Sequence, residues 1–165
     1  MTNSTTTAAT PRRNRNPQVI RMVNRLMRPL LRSPLHRVVS KKIALLTFTG
    51  RKSGRIYALP LSYVQEGRTL YFGTETPWYR NLRGSVPVTV RLRGKMYAGT
   101  AEVIEDEAGL RAAYHTILTH DPGYGRFINV SLGPDGEPPY EAVAAARARG
   151  LVAIRVEFGE TPEGN

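Results

Sequence analysis

The fold is decided by residues 43–64, which read IALLTFTGRKSGRIYALPLSYV. The first seven of these residues are mostly apolar strand formers and end at Gly50, a pattern that predicts a buried strand. Beyond a glycine-flanked turn, large apolar residues occupy every second position from residue 57, which predicts another strand. Pro60 cannot donate a backbone hydrogen bond, so that strand should be an edge or carry a bulge where another group approaches. The stretch therefore predicts the first two strands of a β-meander.

Further strands and helices are predicted on both sides of a long loop. Period-two patterns predict four more strands, over residues 69–73, 86–92, 96–104 and 151–156. Helical spacing and capping residues predict helices over 77–83, 105–120 and 141–149. The stretch 121–139 is rich in glycine and proline and is predicted to be a loop. The result is one domain of six strands over residues 43–158, followed by a short tail, 159–165.

Residues 1–42 differ from the rest of the chain in charge. They hold ten of the 24 Lys and Arg residues and no Asp or Glu, in a chain of 165 residues with a net charge of +11. Residues 1–16 have too few apolar groups to offset chain entropy, which predicts a disordered basic tail. Apolar and arginine positions recur at helical spacing from residue 18 to residue 32, which predicts a basic amphipathic helix within a helical segment at 17–42. That segment is either a lid on the domain or, through residues 17–32, an anchor on an anionic membrane surface.

The composition excludes several classes of site. The chain has no cysteine, and its three histidines, at positions 36, 115 and 120, lack the spacing of metal ligands, so neither a disulfide nor a metal site is expected. Nucleic-acid binding is not expected, because the excess of basic groups lies in the N-terminal arm. The sequence shows no secretion signal and no apolar run of ~20 residues. We expect a cytoplasmic protein, peripheral at the inner face of the cell membrane if the arm is an anchor.

The turn at residues 50–54, Gly-Arg-Lys-Ser-Gly, combines two features of an anion site. Its glycines let the backbone amides point outward, and Arg51 and Lys52 can give charge-assisted hydrogen bonds to a phosphate. Arg55 adds a third cation directly after the turn. An ordinary exposed hairpin turn has the same composition, so the turn alone leaves both interpretations open.

A second motif lies in the predicted helix at residues 77–83. Trp78, Tyr79 and Asn81 bring an indole, a phenol and an amide to the start of this helix, where aromatic rings could wall a flat ligand. Trp78 could equally be a plain core residue, since aromatic side chains bury large areas. The pairing of this helix with the basic turn is more specific than either motif.

With both motifs in this order, the chain resembles the deazaflavin (coenzyme F420)-dependent nitroreductase family, split β-barrels of the flavin-binding superfamily. The resemblance runs from about residue 43 to residue 105, and it includes Pro60 and the Val-Pro-Val-Thr-Val strand at 86–90. It implies an α+β, mainly β fold: a six-stranded split β-barrel, like that of FMN-binding proteins, with flanking helices.

The resemblance also implies a set of site residues. The phosphate and acidic tail of the coenzyme would be held by the basic turn and the residue after it, which comprise Arg51, Lys52, Ser53, Gly54 and Arg55. Pro60 would lie beside the ring, and Trp78 and Asn81 would border the pocket. Tyr114 and Tyr124 are candidates for the substrate pocket. One departure from the family pattern is Glu75, whose negative charge is predicted to repel a phosphate nearby.

The implied activity is that of an oxidoreductase, which moves a hydride from reduced coenzyme F420 to a quinone or a nitro compound. The cofactor supplies the difficult chemistry, and the protein supplies orientation and electrostatics. FMN is the alternative cofactor in the same fold, and a non-catalytic cofactor-binding or membrane-surface protein is the alternative function. Split barrels commonly pair, so a homodimer is also expected.

Overall fold

The computed structural model describes residues 42–159. The predictions of a disordered basic tail (1–16), of an amphipathic helical segment up to residue 41 and of the final tail from residue 160 lie outside the described residues. The mainly β architecture predicted for the domain is confirmed.

Seven strands form one antiparallel sheet within residues 42–159. They are β1 (Ile43–Thr49), β2 (Ile56–Ser62), β3 (Val64–Glu66), β4 (Thr69–Thr74), β5 (Val86–Leu92), β6 (Lys95–Ile104) and β7 (Val152–Phe158). Their order in the sheet is β2-β1-β5-β6-β7-β4-β3. The predicted count of six strands is wrong, because the second predicted strand breaks at Tyr63 into β2 and β3.

That break explains why the sheet curls. Strands β2 and β3 lie at opposite ends of the strand order, yet Tyr63 alone separates them in the chain. Since one residue spans only about 3.3 Å of strand, the two edges of the sheet must meet at this corner. The Tyr63 side chain is buried there, and its N–H donates to the Lys42 carbonyl at 3.2 Å. Of the edge or bulge predicted for Pro60, the structure shows the edge, because β2 is the first strand of the sheet and Pro60 pairs only with Leu45.

Between residues 42 and 159, three α-helices and two 3-10 helices connect the strands: α1 (Glu107–His120), α2 (Gly125–Ile128), α3 (Tyr140–Ala148), and 3-10 turns at Pro77–Leu82 and Pro122–Tyr124. Asp106 begins α1, since its side chain accepts a hydrogen bond from the Gly109 N–H. The prediction of a continuous loop over 121–139 is wrong for residues 122–128. Asp121 accepts a bond from the Gly123 N–H, which starts a 3-10 turn that runs into α2. None of the helices described between residues 42 and 159 is long and apolar enough to cross a bilayer.

Two hydrophobic cores lie on opposite faces of the curled sheet. The first core fills its inside with side chains that alternate along the strands, among them Leu46, Phe48, Phe72, Val90 and Ile154. The second core lies between the helices and the outside of the sheet around β3, β4 and β7; it contains Val64, Leu110, Tyr114, Ile128 and Ala153, among others. The α-helices therefore cover the part of the outer sheet surface around β3, β4 and β7, and the basic turn between β1 and β2 lies outside that part.

Candidate functional site

The basic turn is closed by its own backbone. The Gly50 N–H donates to the Arg55 carbonyl at 2.7 Å, and the Gly54 N–H donates to the Gly50 carbonyl at 2.9 Å. Gly54 has a φ of +63°, in the left-handed region that glycine adopts without strain. The Arg55 N–H donates to the Ser53 hydroxyl at 3.3 Å. The backbone of this turn is therefore that of an ordinary exposed hairpin. Whether the turn can bind an anion depends on the groups around it.

Asn81 ties the turn to the 3-10 helix Pro77–Leu82. Its side-chain oxygen accepts a hydrogen bond from the Arg51 N–H at 3.1 Å, and its side-chain nitrogen donates to the Trp78 carbonyl at 2.8 Å. The two motifs that the sequence singled out, 30 residues apart, are thus brought into direct contact. Because both bonds involve backbone atoms, Asn81 fixes the position of the turn relative to the helix.

The turn retains unpaired donors and unpaired charge. Within residues 42–159 the N–H groups of Lys52 and Ser53 have no acceptor, and the side chains of Arg51, Lys52 and Arg55 contact no acidic group. Other basic side chains of the domain do form ion pairs, for example Lys42 with Asp121, Arg111 with Glu137 and Arg155 with Glu102. Free amides next to uncompensated cations form an arrangement that binds anions.

A row of aromatic rings lies beside the turn. Phe48 is buried, and its ring stacks on Tyr57 at 5.6 Å and on Trp78 at 5.5 Å between centroids. The Tyr57 hydroxyl lies 3.3 Å from the Ser53 hydroxyl, within hydrogen-bond distance. Trp78 is half-buried against Phe48, so one part of the indole belongs to the first core and another part remains exposed.

Tyr57 is a site neighbour that sequence reasoning did not single out. A Cβ atom on Gly50 would come within 2.6 Å of the Tyr57 ring, so only glycine permits this close approach. The signal available in the sequence was parity, because Tyr57 and the inward-facing Leu59 occupy alternate positions of the same strand.

Pro60 lies away from these groups. It alternates along β2 with Leu59 and Leu61, which pack against the first core, so its ring is on the other face of the strand. The structure therefore brings the basic turn, Trp78 and Asn81 together, but it does not bring the Pro60 side chain to the same side.

Tyr114 and Tyr124 both belong to the second core. Tyr114 is fully buried, its hydroxyl has no hydrogen-bond partner among the described residues, and burial raises its pKa. The Tyr124 hydroxyl accepts a bond from the Gly73 N–H at 2.9 Å and donates to the Ser62 carbonyl at 3.2 Å; burial raises its pKa as well. A substrate could reach either hydroxyl only after a rearrangement, so contact with substrate stays a prediction.

Glu75 has a partner that the sequence did not reveal. Its carboxylate lies 3.5 Å from Nε of Arg149, which directly follows α3. The negative charge is therefore compensated locally, and the repulsion predicted from its position in the loop is reduced by this ion pair.

Arg83 and Glu105 secure the far end of the 3-10 helix. Nε of Arg83 donates to Oε2 of Glu105 at 2.8 Å, and Nη2 donates to Oε1 at 2.6 Å. These two hydrogen bonds are the main cause of a lowered pKa for the Glu105 carboxyl. The helix that carries Trp78 and Asn81 is thus held to the turn at one side and to the end of β6 at the other.

Sequence comparison identifies the family that this arrangement belongs to. The sequence profile of the F420H(2)-dependent quinone reductases matches residues 20–129, which is more than half of the chain. The chain belongs to the F420H(2)-dependent quinone reductase family. The predicted kinship with deazaflavin-dependent reductases is confirmed, and family membership supports a deazaflavin-dependent oxidoreductase. In this member of the F420H(2)-dependent quinone reductase family, the matched segment includes the basic turn and the helix that carries Trp78 and Asn81.

Two solved structures are similar to this chain. An F420-H2 dependent reductase (FDR-A) is 21% identical with a TM-score of 0.48, and the match covers 71% of this chain and 95% of that one. A protein described as a domain-swapped dimer is 20% identical with a TM-score of 0.50, and the match covers 86% of this chain and 100% of that one. No curated protein has significant sequence similarity to the chain.

Proposed function

We propose that this protein binds reduced coenzyme F420 and transfers a hydride from it to a quinone or a nitro compound. The observation that carries the proposal is the basic turn, whose three cations lack acidic partners within the described residues and which Asn81 fixes beside Trp78. The coenzyme, when bound, supplies the hydride chemistry itself. The protein's part is to hold the coenzyme and to orient it.

The turn suits the anionic part of such a coenzyme. Arg51, Lys52 and Arg55 supply positive charge, and the free N–H groups of Lys52 and Ser53 supply hydrogen-bond donors. Hydrogen bonds from these groups to a phosphate are charge-assisted and stronger than neutral ones. Since no described residue lies within 4 Å of where a Cβ of Gly54 would be, the described part of the chain leaves that side of the turn open.

The 3-10 helix Pro77–Leu82 suits the flat ring of the coenzyme. The part of Trp78 that faces away from Phe48 offers an aromatic surface, and the Phe48 stack limits the orientations that the indole can adopt. Asn81 borders the same space, but the oxygen and the nitrogen of its side-chain amide are both hydrogen-bonded to backbone atoms. We therefore assign Trp78 to ring contact and the turn to anion binding. Contact of Pro60 with the ring stays a prediction, and its alternation with Leu59 and Leu61, which face the first core, does not support it.

A titration of the purified protein with reduced coenzyme F420 tests the proposal. Wild-type protein should show saturable binding at micromolar coenzyme, and Lys52→Ala should raise Kd at least about tenfold, since a hydrogen bond to a charged group is worth about 1.5–3 kcal/mol. Lys95→Ala is the matched control, because Lys95 is an exposed lysine at the β5–β6 hairpin. Absence of binding by the wild type would reject the function, and equal losses in the two variants would remove the turn from the site.

The same titration separates the alternatives. FMN is the alternative cofactor, because it also has a phosphate for the basic turn and a flat ring for the aromatic wall. Tighter binding of FMN than of coenzyme F420 would favour it. Coenzyme binding without turnover of a quinone or a nitro compound would favour a non-catalytic binding protein. The choice of acceptor, the homodimer and the membrane contact of residues 17–32 stay predictions.

A further inference from the structure

The hydroxyl groups of Tyr57 and Ser53 form a pair at the edge of the basic turn. Their oxygens lie 3.3 Å apart, within hydrogen-bond distance, and either hydroxyl can be the donor. A Cβ atom on Gly50 would come within 2.6 Å of the Tyr57 ring and within 2.8 Å of Oγ of Ser53. The absence of a side chain at Gly50 therefore gives both groups the room to meet.

This pair of hydroxyls has one hydrogen more than it uses. Each hydroxyl carries one hydrogen, and the bond between the two oxygens takes only one of them. Oγ of Ser53 also accepts a hydrogen bond from the Arg55 N–H at 3.3 Å. Within residues 42–159 neither hydroxyl has another hydrogen-bond partner. The pair therefore keeps one O–H donor free, whichever way its own bond points.

The free hydrogen belongs to Ser53 in the favoured arrangement. A phenol is more acidic than an aliphatic alcohol, so the Tyr57 O–H is the stronger donor of the two. When it donates to Ser53, both lone pairs of Oγ are taken, one by Tyr57 and one by the Arg55 N–H, and this fixes the direction of the Ser53 O–H. That hydrogen then lies beside the N–H groups of Lys52 and Ser53, which have no acceptor among the described residues.

Tyr57, we propose, is a positioning residue of the anion site: it holds the Ser53 hydroxyl so that the hydrogen of that group is donated to the bound anion. This role rests on the proposed function, because the anion would be the anionic end of the coenzyme. The three cations of the turn supply charge, whereas the hydroxyl adds a neutral donor of fixed direction. The ring of Tyr57 is itself supported, since it stacks on the buried Phe48 at 5.6 Å between centroids.

A neutral positioning residue affects anion affinity differently from a cation. Loss of the Tyr57 hydroxyl leaves the charge of the turn unchanged, so the dependence of Kd on salt should stay that of the wild type. Lys52→Ala removes a charge and should make that dependence weaker. Without Tyr57 the Ser53 hydroxyl regains rotation among about three staggered directions, which should raise Kd about threefold.

Titration with inorganic phosphate, followed through the amide NMR shifts of Lys52 and Ser53, tests this role without hydride transfer. Kd should rise about threefold in Tyr57→Phe, which keeps the ring on Phe48, and about tenfold in Ser53→Ala. In the double variant Kd should rise about tenfold and not about thirtyfold, because Tyr57 acts only through Ser53. Tyr140→Phe is the matched control, since Tyr140 is an exposed tyrosine of α3, and it should leave Kd unchanged.

The ratio between the double variant and Ser53→Ala isolates the contribution of Tyr57. Ser53→Ala also removes the acceptor of the Arg55 N–H, but that effect is present in both proteins and cancels in the ratio. An unchanged Kd in Tyr57→Phe, losses that multiply in the double variant, or a changed salt dependence in Tyr57→Phe would overturn the role of Tyr57. No saturable shift of the wild-type amides with phosphate would overturn it too.

A second titration of the same proteins, with reduced coenzyme F420, tests the proposed function separately. Phosphate binding that depends on Tyr57 in a wild type that does not bind the coenzyme would reject the proposed function and support the role of Tyr57 at the turn. Coenzyme binding that is equally tight in the wild type and in Tyr57→Phe would support the proposed function and overturn the role of Tyr57.

Discussion

Two basic glycine-containing turns connect strands of this sheet, and they differ in what else touches them. The turn at 50–54 joins β1 to β2, and the hairpin at Arg93-Gly94 joins β5 to β6. Both expose cations, and both use a left-handed glycine, with φ of +63° at Gly54 and +85° at Gly94. In the first turn a side chain from another element, Asn81, bonds to the backbone. Within the described residues, no comparable bond from another element reaches Arg93 or Gly94.

The difference teaches that basic composition is not enough to make a binding site. Hairpin 93–94 is a two-residue turn whose ends are fixed by the pairing of Leu92 with Lys95. It presents its charges to solvent without an aromatic wall described beside it. The turn at 50–54 is longer, is fixed against a second element and lies next to Phe48, Tyr57 and Trp78. A ligand with an anionic end and a flat ring can use the second arrangement.

The largest effect is expected from removing the bonds of Asn81. Asn81→Ala loses both side-chain bonds and leaves the Arg51 N–H without its acceptor, so the free energy of unfolding should fall by about 2 kcal/mol. Amide hydrogen exchange at Arg51 should become faster at the same time, while exchange at Gly94 stays unchanged. Asn81→Asp is the informative control, because its carboxylate can still accept from Arg51 and should preserve the protection of that amide.

A smaller effect is expected from replacing the left-handed glycine of each turn, Gly54 or Gly94, by alanine. At Gly54 and Gly94 an added Cβ meets no described residue within 4 Å, so the cost of alanine should come from the positive φ and be about 1 kcal/mol in each case. Denaturant unfolding of Gly54→Ala and Gly94→Ala should therefore give similar losses. Coenzyme affinity should fall only for Gly54→Ala. A similar loss of affinity in both variants would contradict the distinction between the turns.

The smallest effect is a pH dependence of stability at Arg83 and Glu105, which hold the far end of the 3-10 helix that contacts the turn at 50–54. Hydrogen bonds from Arg83 lower the pKa of Glu105, so the folded state binds this proton less tightly than the unfolded state does. The stabilisation is complete above the ordinary carboxyl pKa and is lost as the pH falls through the lowered value. Carboxyl NMR should find the Glu105 pKa below its ordinary value of 4.5, and Arg83→Ala should raise it again. An unchanged pKa in that variant would exclude Arg83 as the cause.

Local patterns predicted most of the strands, because alternation is visible within a few residues. The prediction of 86–92 coincides with β5, whose buried positions 88, 90 and 92 alternate with less buried ones. The same reasoning missed the break between β2 and β3, because Tyr63 bends the chain to close the sheet, and closure depends on strands far along the chain. The 3-10 turn and helix α2 were missed for another reason, since glycine and proline in 121–139 mask short helical turns.

The site, too, was predictable only where its residues are close together in the sequence. The turn and the aromatic helix were recognisable from their residues, whereas their contact through Asn81 joins positions 30 apart and has no local signal. The pairing of Glu75 with Arg149 is a long-range contact of the same kind. Tyr114 and Tyr124 were placed near substrate by resemblance, but the helical spacing of Leu110, Tyr114 and Ile117 already indicated a buried stripe.

The central claim is that the turn at 50–54 holds the anionic end of the coenzyme, and amide NMR during a titration with reduced coenzyme F420 tests it most directly. The account predicts saturable shifts of the Lys52 and Ser53 amides and of the Trp78 indole, with one common Kd, and no shift at Gly94. Saturable binding that leaves Lys52 and Ser53 unshifted, or that shifts Gly94 equally, would contradict it.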